Sequence, residues 1–326
     1  MSHHYVGYAE DVHEMEDVDN DMDDESQGRD FSGSESDLDE YDYMTYPGTL
    51  LDGFTKIQVS TLAVKDNLLV AGGFQGELIC KYLDRPGICF STRTTNDDNA
   101  ITNAVERYTS STGAIHFIAS TTDCGVRDFD METLSPNLFI FLGQSMCVRT
   151  FVWGNQHTSL CPNSKLLIIV GDDPDDMLVD SSSAKIIAHL RGHMDHSFAS
   201  AWHPDGVTFA TGNQDKTCRI WDTRNLSRSI TTLKGNLGAI RSIRYTFDGR
   251  FTAMVEAADF VHVFDTKSGY EDEQEIDFFG EISGMSFSPD TESFSLEYGI
   301  KCLAASSNMV RVEITCTSMP LSSSVL

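Results

Sequence analysis

The sequence predicts an all-β fold built from tandem repeats of short strands, and three observations lead there. Residues 157–180 (HTSLCPNSKLLIIVGDDPDDMLVD), 198–222 (FASAWHPDGVTFATGNQDKTCRIWD) and 240–265 (IRSIRYTFDGRFTAMVEAADFVHVFD) share one pattern. In each, an alternating strand meets a polar turn, an apolar strand follows, and a third strand ends in Asp. The turn residues Asn163, Asp205, Asp248 and Asp290 fall 42, 43 and 42 residues apart, and the closing Asp180, Asp222 and Asp265 keep that period. Finally, Asp-Gly and Pro-Asp turns between short strands make hairpins, whereas parallel strands would need crossover helices.

At 326 residues the chain is long enough for one large core, but its charge is unevenly spread. The formal net charge is -27, and between Glu10 and Asp42 there are 16 acidic residues against the single base Arg29. Residues 1–50 therefore read as an acidic disordered arm, because carboxylate repulsion among Tyr5, Tyr8, Phe31, Tyr41, Tyr43 and Tyr46 opposes collapse. The arm is either a solubilising tail or a docking segment for basic partners. Ser32, Ser34 and Ser36 each have an acid three positions on, at Glu35, Asp37 and Asp39, which suits a kinase preferring acidic surroundings. Such spacings are also common by chance.

Residues 51–326 carry the repeats. LLVAGGFQGELICKYL at 68–83 gives two strands around glycines, and a repeat spanning about 101–130 closes on Phe129-Asp130. The apolar segment 138–151 reads as an outer strand with an enlarged connection, or as a misplaced repeat boundary. The three aligned repeats follow, and a sixth opens at Gly280 with EISGMSFSPD at 281–290. From about residue 291 the pattern is atypical, since Ser306 and Ser307 stand where a closing pair is due.

Residues 191–222 carry a specific resemblance. Gly192-His193 resembles the glycine–histidine start of the WD40 family, and Trp221-Asp222 its closing dipeptide. The resemblance covers about 56–290 and is strongest at 191–265. It implies a WD40-type β-propeller of four-stranded blades around a central channel. Seven blades are expected, the first and last regions sharing one; a six-bladed or incompletely closed ring is the alternative. It also implies a structural network of His193, Thr211, Asp215 and Trp221. A buried indole N–H and imidazole need partners, and a satisfied network specifies one blade geometry. More closely, the chain is similar to a group of plant and fungal WD-repeat proteins with an acidic arm.

The acidic balance disfavours nucleic acid and anionic membranes as ligands, since both are held through Lys and Arg. No run reaches the roughly 18 apolar residues of a span, and the start lacks a signal peptide's basic and apolar regions. The eight cysteines form no C-x-x-C pair and read as reduced and packed, as in an intracellular chain of cytoplasm and nucleus. No nucleophile–base–orienter set stands out, so no catalytic residue, cofactor or metal is expected. GDDPDD at 171–176 lacks the alternating ligands and final Glu of a calcium loop and reads as solvated acids in a turn. His193, His196 and His203 do not make a zinc set, and GNQDKT at 212–217 lacks the glycine-rich run of a phosphate loop.

The expected function is a non-enzymatic scaffold that presents rigid blade loops to other proteins. Asp195, His196, Asp259 and Phe260 are candidate partner contacts on loops, with Arg241 and Arg244 adding positive charge, although all could equally be solvated surface. W-D-x-R at 221–224 resembles the box of WD40 substrate receptors of cullin-RING ubiquitin ligases. That likeness implies that Asp222 and Arg224 form an adaptor-binding pair, the planar guanidinium making paired hydrogen bonds that Lys cannot.

Overall fold

A strand such as LLIIVG at Leu166–Gly171 has apolar side chains on both faces, so it is stable only when covered on both sides. The computed structural model supplies that cover by stacking sheets in sequence order. It describes residues 58–94, 101–141 except 111, 124 and 134, 155–300 except 292, and 308–315. The acidic arm, with Ser32, Ser34 and Ser36, lies outside the described residues, as does the segment 142–154.

Each sheet is a sequential antiparallel meander. The first comprises β1 (Val59–Lys65), β2 (Leu68–Gly73), β3 (Glu77–Tyr82) and β4 (Phe90–Arg93). The second comprises β5 (Thr102–Thr109), β6 (Ile115–Thr121), β7 (Gly125–Asp130) and β8 (Ser135–Phe141). The third holds β9 (Asn155–Leu160), β10 (Leu166–Gly171), β11 (Asp176–Asp180) and β12 (Ile186–Leu190). The fourth holds β13 (Ser197–Trp202), β14 (Thr208–Asn213), β15 (Thr217–Asp222) and β16 (Thr231–Lys234). The apolar stretch beginning at residue 138 thus enters an outer strand, β8, paired to β7.

The last sheet has six strands: β17 (Ile240–Tyr245), β18 (Phe251–Glu256), β19 (Ala258–Asp265), β20 (Glu273–Phe287), β21 (Ser293–Ile300) and β22 (Asn308–Thr315). β20 belongs to two blades. Its first part pairs with β19 from Glu273 to Asp277, and its second pairs with β21 from Ile282 to Phe287. Glu281 pairs with both Ala258 and Gly299, so the strand changes blade beside the predicted opening at Gly280. Beyond it, β21 and β22 form a hairpin of two eight-residue strands.

Five apolar clusters separate these units, four of them walled by two consecutive sheets and the fifth by the two halves of the last sheet. Ile168, Leu178, Trp202, Phe209 and Trp221 fill the space between the third and fourth. Ala210, Ile220, Ile243, Met254 and Phe264 fill that between the fourth and fifth. Burying side chains of this size contributes about 1.5–3 kcal/mol each, so stability resides between blades more than within them.

The first strands β1, β5, β9, β13 and β17, with the second half of β20, line one cavity of about 480 Å³. This is the arrangement of a β-propeller, and the described residues supply six blades where seven were expected. The two chain ends do not share a blade among the described residues, because hairpin-by-hairpin pairing completes each sheet from one contiguous stretch.

The aspartate period has a local cause. Asp205 Oδ1 accepts the N–H groups of Val207 and Thr208 at 2.7 and 2.9 Å, and Asn163 and Asp248 accept from residues two positions on. The next residue in each turn, Ser164, Gly206, Gly249 or Thr291, has positive φ. At the other hairpin, Asp130, Asp180, Asp222 and Asp265 each accept a backbone N–H two residues later. Both periodic positions are turn-closing side chains.

Candidate functional site

β14 and β15 bring Thr211 and Trp221 onto one buried face, and the link entering β13 folds His193 against them. Trp221 Nε1–H donates to Thr211 Oγ1 at 3.0 Å, and the Thr211 hydroxyl meets His193 Nε2 at 2.9 Å. His193 Nδ1 then lies 3.2 Å from Asp215 Oδ2, which also accepts Met194 N–H at 3.0 Å. One consistent direction of donation makes His193 a neutral imidazole with its proton on Nδ1. Burial supports this by pushing His193 down to about 4. Burial also pushes Asp215 up, but hydrogen bonds from Thr217 and Met194 outweigh it and leave the carboxyl below its ordinary value. Gly192 enters the link at φ 141°, where a Cβ would stand 2.8 Å from Arg219 Nη1.

The preceding blade contributes a residue that the repeat pattern did not single out. Asp176, the last acid of GDDPDD, is 1% exposed and its Oδ2 lies 3.9 Å from His193 Nε2. Burial pushes its carboxyl up to about 8, so it is neutral at pH 7. The expectation of solvated acids is therefore corrected at this position: Asp176 opens β11 and faces the next blade. Asp173 and Asp175 stay in the exposed hairpin, where Asp175 meets Arg191 at 3.1 Å.

The links into β13 and β17 and the hairpins β10–β11, β14–β15 and β18–β19 share one rim. Asp195 is exposed there, with His196 Nδ1 at 2.5 Å from its Oδ1. The His196 ring meets Phe198 edge-on at 4.8 Å between centroids, and Arg241 from the next blade covers the Phe198 ring at 3.5 Å. Three candidate contacts, Asp195, His196 and Arg241, thus form one patch through Phe198. Met194 and Leu237 flank it, 82% and 65% exposed. Asp259 (φ 70°) and Phe260 lie within the start of β19, at the register shift in its pairing with β20, rather than on a loop, with Phe260 stacked on His262 at 6.3 Å. Arg241 and Arg244 sit within β17 rather than on a loop, and Arg244 faces the central cavity.

Beneath this rim the fifth blade carries a different polar network. Glu256 accepts the N–H groups of Asn236, Leu237 and Gly238, fixing the link into β17. His262 lies between two carboxylates, at 2.8 Å from Glu256 and 2.7 Å from Glu273. Burial pushes His262 down, but hydrogen bonds with Glu273 and Glu256 outweigh it and raise it above its ordinary value. His262, Glu273 and Glu275 also bring ligand atoms within 4.8 Å of one another. Both ring nitrogens of His262 are already engaged by carboxylates, however, so neither is free for a metal without breaking one of those contacts. The histidines read in the sequence are separately engaged, His203 holding Asp205 N–H and Gly249 O.

At the opposite rim Arg224 is exposed, and its fork grips Asp222: Nη2 lies 2.6 Å from Oδ2 and Nε 2.9 Å from Oδ1. Asp222 and Arg224 are therefore together, but the guanidinium edge suited to a partner is already engaged. No helix among the described residues is long and apolar enough to cross a membrane.

The comparisons agree with this geometry. Residues 184–222 match the family described as WD domain, G-beta repeat. The chain is 34% identical over 83 residues to a probable cytosolic iron-sulfur protein assembly protein Ciao1 of Culex quinquefasciatus, covering 24% of this chain and 25% of that one. It is 26% identical over 141 residues to eukaryotic translation initiation factor 3 subunit I of Anopheles gambiae, covering 38% and 40%. It is 34% identical over 104 residues to WD repeat-containing protein 1 of Mus musculus, covering 29% and 16%. The matched segments span from 16% to 40% of these relatives' own lengths. Residues 184–222 are thus a WD40 repeat, set in a chain whose described residues fold as an all-β propeller.

Proposed function

We propose that the chain is a non-enzymatic protein-interaction scaffold whose binding surface is the rim around Asp195, His196, Phe198 and Arg241. The observation that carries this is the pairing of exposed Met194 and Leu237 with that polar patch. Apolar anchors beside oriented charges, on inter-blade links held by buried networks, suit partner recognition at small ordering cost. Asp259 and Phe260 extend the surface. The aligned relatives include proteins whose names denote iron-sulfur protein assembly, pre-mRNA processing or translation initiation factors, which fits a scaffold. The test is affinity purification of the full chain against His196→Ala and Leu237→Asp, with partners read by mass spectrometry. Loss of a partner set in folded variants supports the rim. Identical partner sets would sink it.

The acidic arm at residues 1–50 adds salt-sensitive contacts to basic segments of partner proteins, in cytoplasm and nucleus, and Ser32, Ser34 and Ser36 would deepen its charge when phosphorylated. Such an organisation is the one expected of the plant and fungal WD-repeat group whose likeness the sequence suggests. Neither nucleic acid nor membrane is the primary ligand. Deleting the arm should weaken partner binding at low salt and leave the core intact. A second reading, a ubiquitin-ligase substrate receptor, rests on the exposed Arg224. Asp222 holds its guanidinium in one orientation, leaving one η nitrogen toward an adaptor. Its test is loss of a ligase adaptor from the purified Arg224→Ala complex.

A further inference from the structure

The cavity enclosed by the six first strands lies toward the β1–β2, β9–β10 and β17–β18 turns, away from the rim that carries His196. Its volume of about 480 Å³ is that of a site for one small ligand. Three cations line it, Lys65, Arg107 and Arg244, against one acid, Glu106. Arg107 reaches Asp66 at 2.7 Å through Nη1 with its side chain 9% exposed, yet its Nε has no hydrogen-bond partner. Arg244 donates to Ile243 O through Nη1, and its Nε is likewise buried without a partner. A buried guanidinium N–H left unpaired is destabilising, and two of them beside one cavity call for an acceptor that the described residues do not provide. Glu106 is not that acceptor. It takes Leu160 N–H at 2.8 Å and makes no ion pair with either arginine.

We propose that this cavity is a binding site for a small molecule with one anionic oxygen-bearing group, held by Arg244 and Arg107 and entering past Lys65. Pro162, Pro204 and Phe247 stand at the turns and give an apolar body somewhere to lie, Phe247 being 57% exposed. The Ser159 and Ser200 hydroxyls, 2.9 Å apart, bond each other and Ser200 meets His157 Nδ1 at 3.0 Å, so they offer a ligand at most one neutral donor. A half-open space of single-ligand size with convergent polar groups suits a small molecule whose anionic end is buried and whose body reaches the opening.

Glu106 then sets a pH dependence. Burial pushes it up to about 7, with a smaller opposing pull from Arg244 and Lys65. The other titratable groups lining the cavity are Arg107 and Tyr108 on its own strand, His157 on β9, Cys161 just after it, and Tyr245 on β17. β13 brings Ser200, Ala201 and Trp202, and β20 brings Ser286 and Phe287. His157 is pushed down to about 3 by burial and Arg244, so it stays neutral. An anion therefore binds best while Glu106 is protonated, and weakens as pH rises through about 7.

The test uses the full chain and benzenesulfonate, which is permanently anionic, titrated by calorimetry at constant ionic strength between acid and mildly alkaline pH. Saturable one-to-one binding is expected, reduced about tenfold or more by Arg244→Gln. Lys65→Gln, at an exposed position, should weaken it at low salt even if the arginine variant folds poorly. Glu106→Gln should strengthen binding above neutrality and flatten the pH profile. Absence of saturable binding, or Lys65→Gln and folded Arg244→Gln that bind like wild type, would overturn the site. A synthetic peptide of residues 28–42 that binds more tightly than benzenesulfonate and displaces it would overturn the small-molecule class.

Discussion

Trp221 and Thr211 meet across the β14–β15 pair, the indole N–H donating to the hydroxyl at 3.0 Å with both residues fully buried. The indole also packs with Phe209 and Leu178, so it joins the polar network to the apolar core between two blades. Trp221→Ala should destabilise the core by about 3–5 kcal/mol, whereas Trp221→Phe should cost about 1–3 kcal/mol for the unpaired hydroxyl and lost volume. Urea denaturation followed by tryptophan-independent far-ultraviolet dichroism separates the two. A Trp221→Phe cost near zero would mean that the hydrogen bond contributes nothing.

Asp176 and His193 give opposite pH signatures. Asp176 rises from its ordinary 3.8 to about 8 on folding, so the folded chain binds more protons between those values and stability falls as pH rises through them. His193 drops from 6.5 to about 4, so the unfolded chain binds more protons there and stability rises with pH over that window. Asp176→Asn should remove the first dependence and leave the second. Melting temperatures of wild type and variant should diverge with rising pH, the variant being more stable near pH 8. Parallel curves would place a partner cation beside Asp176.

The part of the fold legible in the sequence is the part governed by local chemistry. Asn163, Asp205 and Asp248 close hairpins within a few residues of themselves, so their period reads directly as blade spacing. Phe264 and Val179 replace Trp221, yet their blades keep the same meander because apolar burial, not the indole bond, drives the stacking. Blade number is a ring property, and no local residue encodes it. The inter-blade residues were opaque for the same reason. Asp176 sits in a run of acids that looks solvated, and Glu106 and His262 carry no motif; their roles come from strands far away in sequence. Arg244 looked like loop charge because alternation alone does not say which face of a first strand meets the cavity.

Glu256 and His262 form the second pH-sensitive unit. His262 is raised above 6.5 by Glu273 and Glu256, so it adds stability that is present below 6.5 and lost as pH rises through the folded value. Glu256 also holds three N–H groups of the link into β17. Glu256→Gln should therefore loosen that link as well as weaken the histidine. Hydrogen exchange at Asn236, Leu237 and Gly238 should accelerate in the variant, with β13 and β14 unchanged. His262→Gln should flatten the stability profile above neutrality while sparing those three amides. If both variants accelerate the amides equally, the link is held through His262 rather than by Glu256 directly.

Asp205 tests the cause of the repeat period most directly. Its carboxylate accepts Val207 and Thr208 N–H and meets the Thr208 hydroxyl at 3.1 Å, at the turn between β13 and β14. Burial pushes Asp205 up, but the backbone hydrogen bonds from Thr208 and Val207, with His203 and the Thr208 hydroxyl, together outweigh it and hold the carboxyl below 3.8. The stability this adds is present above 3.8 and is lost as pH falls through the folded value. Asp205→Ala should cost about 1 kcal/mol near pH 7, the net worth of an exposed turn hydrogen bond, and less as the wild-type carboxyl protonates. Asp205→Asn keeps an acceptor and should recover most of that loss while removing the acid dependence. Chemical denaturation of the three proteins at pH 7 and pH 3 reads both effects. If Asn recovers nothing at pH 7, the aspartate acts through its charge on His203, 3.1 Å away, rather than by closing the turn.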